Sequence, residues 1–151
     1  MTMTQTLTPS SVARGRLTTW DAPRTTTSDL LRGVTAAAVM LSGVIHLDLW
    51  AGGMKAVDVV GPAFLVNAIG GVVIGMLLTT WHHWVPPFLA FGFGVSTLAA
   101  FLWSTTPGGF FDVHEEWSGW AIWTCFVAEV VAVVLGLAIL WVERPRPRTP
   151  R

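Results

Sequence analysis

Four apolar segments, each close to twenty residues long, constrain this chain more than any other feature. They cover about 30–50, 61–80, 86–104 and 119–142, and a helix needs roughly 20 residues to cross about 30 Å of hydrocarbon. Backbone N–H and C=O groups in lipid must find partners within the protein, so unbroken runs of this length can cross only as helices. Composition agrees: 52% of residues are hydrophobic and 12% charged, against about 25% charged in an average soluble domain. The connections are short, which makes sequential spans antiparallel neighbours. The predicted fold is all-α, a four-helix transmembrane bundle running up-down-up-down over 29–142. The flanking stretches, 1–28 and 143–151, are rich in Thr, Ser, Pro and Arg without apolar periodicity, and are expected to be disordered basic tails.

The arginines set the expected orientation. Arg14, Arg16, Arg24 and Arg32 precede the first span, Arg144, Arg146, Arg148 and Arg151 follow the last, and the connections on the opposite side hold only Lys55. The positive-inside rule then puts both termini in the cytoplasm of a multi-pass inner-membrane protein. Arginines beside a membrane hold anionic lipid headgroups more simply than nucleic acid. No apolar stretch before residue 30 resembles a signal-peptide core, so the first span is expected to stay in the protein. Trp81, Trp84 and Trp141 fit the inner interface, and Trp50, Trp103, Trp117 and Trp120 the outer one. Gly71 with Gly75, and Ala128 with Ala132 and Gly136, are small residues at four-residue spacing, where helices are expected to approach closely.

One connection is chemically crowded. GGFFDVHEEWSGW, residues 108–120, places Asp112, His114, Glu115 and Glu116 between two apolar spans. Asp112 followed three residues later by Glu115 has the form of a capping box, which would start the last helix near Val113. Continued into the membrane at 100° per residue, that helix would bring His114 and Glu115 towards the face of Glu129, with Glu116 pointing away as a solvated charge. His46 lies one turn below the outer end of the first span. Three readings of this outer group stay open: His46, His114 and Glu115 as ligands of a divalent Zn, Fe or Cu ion, the two histidines as axial ligands of haem b, or a hydrogen-bond cluster tying the last connection to the first helix.

Inside the spans, Glu129, Asn67 and Thr97 need an explanation. Glu129 shares a face with Cys125, Ala132 and Gly136, so it should look into the bundle, where an ionised carboxyl is costly and must be protonated or paired. Asn67 and Thr97 fit interhelical hydrogen bonding. His46 shares a face with Thr35 and Ser42. No G-x-S-x-G, P-loop, dinucleotide fingerprint or cysteine pair is present, and the single cysteine, Cys125, sits on a lipid-buried helix where a nucleophile is poorly served.

IHLDLW, VGPAFLVNAIGGVVIG and STLAAFLWSTTPGGFFDVHE, followed by an apolar span with Glu129, resemble a group of small four-span membrane proteins of actinobacteria with no assigned activity. The likeness covers about 30–140 and implies the four-helix topology and an outer placement of His46 and Glu115. The expected function is a non-catalytic accessory or assembly subunit of a larger membrane complex, since four packed helices are expected to leave no room for a large cavity. The alternatives are a metal- or haem b-binding protein at the outer His/Glu site, and a small proton-coupled transporter using Glu129 and Asn67.

Overall fold

The computed structural model describes residues 25–144. Within them lie four long helices, α1 (Thr26–Gly52), α2 (Val60–Thr80), α3 (Val85–Ser104) and α4 (Trp120–Val142), with a 3₁₀ turn (Met54–Ala56) between α1 and α2. Each helix is long and apolar enough to cross a membrane. The expected all-α four-helix bundle is therefore the observed fold. The helix ends have local causes: the Thr25 side chain accepts the Ser28 N–H at 3.1 Å at the start of α1, and prolines open α3, where a missing N–H costs nothing. Val66, Ile69, Met76 and Val127 stand exposed on the outside of the bundle, a surface suited to lipid and not to water.

Helix α1 is the hub, packed on α2 along one side and on α4 along the other; α3 packs on α4, and α2 and α3 meet only sparsely. Lipid tails are as apolar as leucine, so helices associate in a membrane by close fit, which small residues allow. At Gly71 an added Cβ would stand 2.5 Å from the Val39 carbonyl oxygen, and at Gly94 one would stand 2.7 Å from the Glu129 carbonyl oxygen. The two expected small-residue stripes lie at these interfaces, Gly71 and Gly75 against α1 and Gly136 against the first turns of α3. Gly43 and Gly94 supply facing surfaces that spacing alone does not mark.

One end of the bundle is locked by a buried ion pair. Arg32 Nε donates to Glu143 Oε1 at 2.8 Å and Nη2 donates to Oε2 at 2.6 Å, while the Ser28 hydroxyl also donates to this carboxylate. The rest of the guanidinium fork reaches the carbonyl oxygens of Leu78, Trp81 and His83 at 3.4, 3.2 and 3.0 Å. Arg32 is 1% exposed and Glu143 6%. One side chain thus joins the start of α1, the turn after α2 and the end of α4, and it caps the C-terminal carbonyls of α2. Arg32 is thus enclosed by the protein, Glu143 packs within the bundle, and the first helix already includes residues 26–28. Arg144, next in sequence, is exposed, with its guanidinium 3.8 Å from the Trp141 ring centroid. The other tail arginines lie outside the described residues.

At the opposite end the capping box does not form. The last helix begins at Trp120, seven residues beyond Val113, with Gly119 as an N-cap that makes no side-chain bond. Phe110 and Val113 instead exchange backbone hydrogen bonds of 2.9 and 3.1 Å around Phe111 and Asp112, whose φ angles of 50° and 62° are both left-handed. That is the geometry of a tight two-residue hairpin turn, and it takes the chain out of helical phase. The connection then folds back through Trp117, whose ring packs 4.7 Å from Phe101 and 5.2 Å from Phe126.

Burial alone would raise the Glu143 carboxyl, but the hydrogen bonds from Arg32 and Ser28, with the charges of Arg32 and His82, outweigh it and hold the group below its ordinary 4.5. A lowered carboxylate stabilises the fold above its unfolded value and loses that contribution as pH falls through its folded value. Thermal stability in detergent is accordingly expected to drop as pH falls below about 4.5. Arg32→Met, which strands a buried carboxylate, is expected to cost about 3–5 kcal/mol at neutral pH, and Arg32→Met with Glu143→Leu less than that; denaturant titration of the purified protein measures both.

Candidate functional site

The polar residues of α1 and α4 meet in mid-bundle. Ser42 and His46 are four residues apart on α1, and Cys125 and Glu129 four apart on α4, so each pair occupies one helix face. Glu129 Oε1 accepts from the Ser42 hydroxyl at 3.0 Å and from the Cys125 thiol at 3.2 Å. Cys125 Sγ lies 3.5 Å from His46 Nδ1 and 3.4 Å from Ser42 Oγ. Nδ1 is also 2.9 Å from the Ser42 carbonyl oxygen. A carbonyl can only accept, so Nδ1 carries the proton in this arrangement and Nε2 keeps its lone pair. All four residues are buried, Glu129 to 2% exposure. Glu129 Oε2 and His46 Nε2 make no hydrogen bond among the described residues, although buried polar atoms as a rule are paired.

This cluster borders a cavity of about 610 Å³ between α2 and α3. Apolar side chains make up most of its wall, with Phe64, Phe93 and Phe101 among them, and His46, Asn67, Thr97, Cys125, Glu129 and Glu115 add polar groups. The His46 ring lies against Phe64 with centroids 4.9 Å apart. Across the gap, Asn67 Nδ2 donates to Thr97 Oγ1 at 3.2 Å, and Thr97 in turn donates to the Phe93 carbonyl at 2.8 Å. The expectation that four packed helices leave no large cavity fails for a simple reason: α2 and α3 are each held by another helix and scarcely by one another.

The structure brings together some of the residues singled out from sequence and separates others. Asn67 and Thr97 do bond between helices. Glu129 is paired with Ser42 and Cys125, not with Asn67. His114 is exposed and lies 3.1 Å from the Pro107 carbonyl within its own connection, so neither the His46, His114 and Glu115 triad nor a haem b ligand pair is assembled. Both readings rest on a helix running from Val113, whereas α4 begins only at Trp120. Glu115 lines the cavity half-buried, its side chain in no hydrogen bond among the described residues, and burial pushes its carboxyl above the ordinary glutamate value. Asp112 is exposed in the turn and caps nothing. Among the described residues, the group whose donor atoms could hold a metal ion is His46, Cys125 and Glu129, with one ligand atom from each lying within 4.8 Å of the others. Helical spacing puts Cys125 on the Glu129 face and Ser42 on the His46 face; what spacing does not supply is that those two faces meet.

No protein-family model, no curated protein and no solved structure matches this chain.

Removing the shared acceptor tests the network. Glu129→Leu leaves the Ser42 hydroxyl and the Cys125 thiol without their partner and is expected to cost about 1–3 kcal/mol. Glu129→Gln keeps a carbonyl oxygen in place and is expected to cost less. Unfolding of both variants in the same detergent checks the order.

Proposed function

We propose that this protein is a membrane-embedded binding protein that takes a lipid-soluble small molecule between α2 and α3 and meets its polar head with the His46 and Glu129 group. The observation that carries the reading is the roughly 610 Å³ cavity joined to the buried cluster. Its size falls among ligand sites of about 300–1,000 Å³, and its wall is apolar with a few convergent polar groups, as in such sites generally. The occupant is an amphiphile with an aromatic or chain-like apolar body, suited to Phe64, Phe93 and Phe101, and a head that hydrogen-bonds to an imidazole or carboxyl. Within this reading the end carrying Arg32 and Glu143 faces the cytoplasm of the inner membrane, as the positive-inside rule has it.

A second reading, a small non-catalytic subunit of a larger membrane complex, is favoured by a shallow groove on the far side of α1 and α4, where Ala37, Ala38 and Ala128 lie between Leu41 and Val131. Small side chains there leave room for a helix of another protein.

The test is photolabelling in lipid nanodiscs with an apolar diazirine probe. Labels are expected to concentrate on the cavity faces of α2 and α3, and Ala63→Trp, which fills the cavity at a lining position, is expected to remove them. Labelling spread evenly over the lipid-facing surface, or centred on the Ala37 and Ala128 groove, would count against the cavity reading.

A further inference from the structure

We propose that His46, Cys125 and Glu129 form a binding site for a divalent transition-metal ion of the zinc type, with one coordination position left facing the cavity. The inference does not rest on the ligand proposed above; it follows from the donor set itself.

Distance is the first argument. Zinc bonds of about 2.0–2.3 Å in a tetrahedron place ligand atoms roughly 3.3–3.8 Å apart. Cys125 Sγ already lies 3.2 Å from Glu129 Oε1 and 3.5 Å from His46 Nδ1, which can ligate once the imidazole carries its proton on Nε2 instead, and all three donors fall within 4.8 Å. Closing the set around an ion therefore needs only side-chain rotations, and the helix backbones can stay where they are.

Charge is the second argument. A thiolate, a carboxylate and a neutral imidazole carry two negative charges, which a divalent cation cancels. The bound site is then formally neutral, which matters where a net charge would be very costly. Binding releases the thiol proton and any proton on the carboxyl, so that M²⁺ with Cys–SH and Glu–COOH gives the neutral complex and two H⁺. Nitrogen and sulfur donors favour zinc, cobalt or copper over magnesium and calcium, which prefer all-oxygen sites.

The third argument is a buried polar atom. Glu129 Oε2 makes no hydrogen bond among the described residues, and Glu129 and His46 both line the cavity. Ser42 stands behind the donors: its hydroxyl reaches Glu129, the kind of outer contact that orients metal ligands.

The sole cysteine makes the test direct. Full-length protein, with any purification tag removed, is stripped with chelator, loaded with Co²⁺ or Zn²⁺ in detergent and desalted. The wild type is expected to retain one ion per chain and, with Co²⁺, to show a thiolate-to-metal charge-transfer band that can arise only from Cys125. Cys125→Ser should lose the band, and Glu129→Gln should weaken retention about 10-fold or more. His114→Ala should bind like the wild type, which separates this site from the outer connection. If Cys125→Ser does not fold, the wild-type band decides alone. Retention below a tenth of an ion per chain, cobalt bound without a thiolate band, or a band that survives in Cys125→Ser overturns the proposal.

Discussion

A buried guanidinium bonded through two of its nitrogens to a buried carboxylate is the constraint on which the rest of this bundle depends. Arg32 and Glu143 are 111 positions apart, and their pairing fixes the start of α1 against the end of α4 in both height and rotation. The same guanidinium takes the carbonyls that close α2, so three of the four helices are referred to one side chain. Neither charge could stay there alone, since removing one leaves the other buried without compensation. With the clasp at one end, α1 serves both α2 and α4, and α3 is carried by α4.

The site follows from that arrangement. Because α1 and α4 are held in register, the Ser42 and His46 face meets the Cys125 and Glu129 face, and a shared carboxylate oxygen takes both the hydroxyl and the thiol. Because α2 and α3 are each supported from elsewhere, the space between them is free to remain open from Ile74 and Phe88 to Glu115. A closely packed interface and an unfilled one lie on either side of the same four residues. Asn67 and Thr97 span the open side with one hydrogen bond, a light tie of a kind worth about 0.6–2 kcal/mol between membrane helices.

Much of the fold is legible in the amino-acid sequence. Helix spans are written in runs of apolar residues, in Pro86 and Pro87, and in the small residues at 71, 75, 132 and 136, all of them local signals. Arg32 is legible only as a charge beside a span, since counting arginines for orientation does not ask where a guanidinium points. The capping pattern at Asp112 and Glu115 is a sound local signal overruled by a turn at Phe111 and Asp112, both left-handed; aspartate tolerates that region, but a bulky phenylalanine rarely adopts it. With α4 starting only at Trp120, His114 stays exposed in the connection. Cys125 is visible on the right face of α4, yet its role depends on which face of α1 lies opposite, and that is set by how the two helices pack along their length, the Arg32 and Glu143 pair included.

The most direct test of this account is a distance. The chain has four glutamates, Glu115, Glu116, Glu129 and Glu143, and among the described residues Glu143 is the one in contact with an arginine. Protein carrying ¹³C-labelled glutamate carboxyls and ¹⁵N-labelled arginine, reconstituted in lipid, can be measured by rotational-echo double-resonance NMR. One carboxyl carbon should lose its signal strongly to a nearby guanidinium nitrogen, and the effect should vanish in Arg32→Gln. No such carboxyl, or one whose dephasing persists in Arg32→Gln, would contradict the arrangement described above.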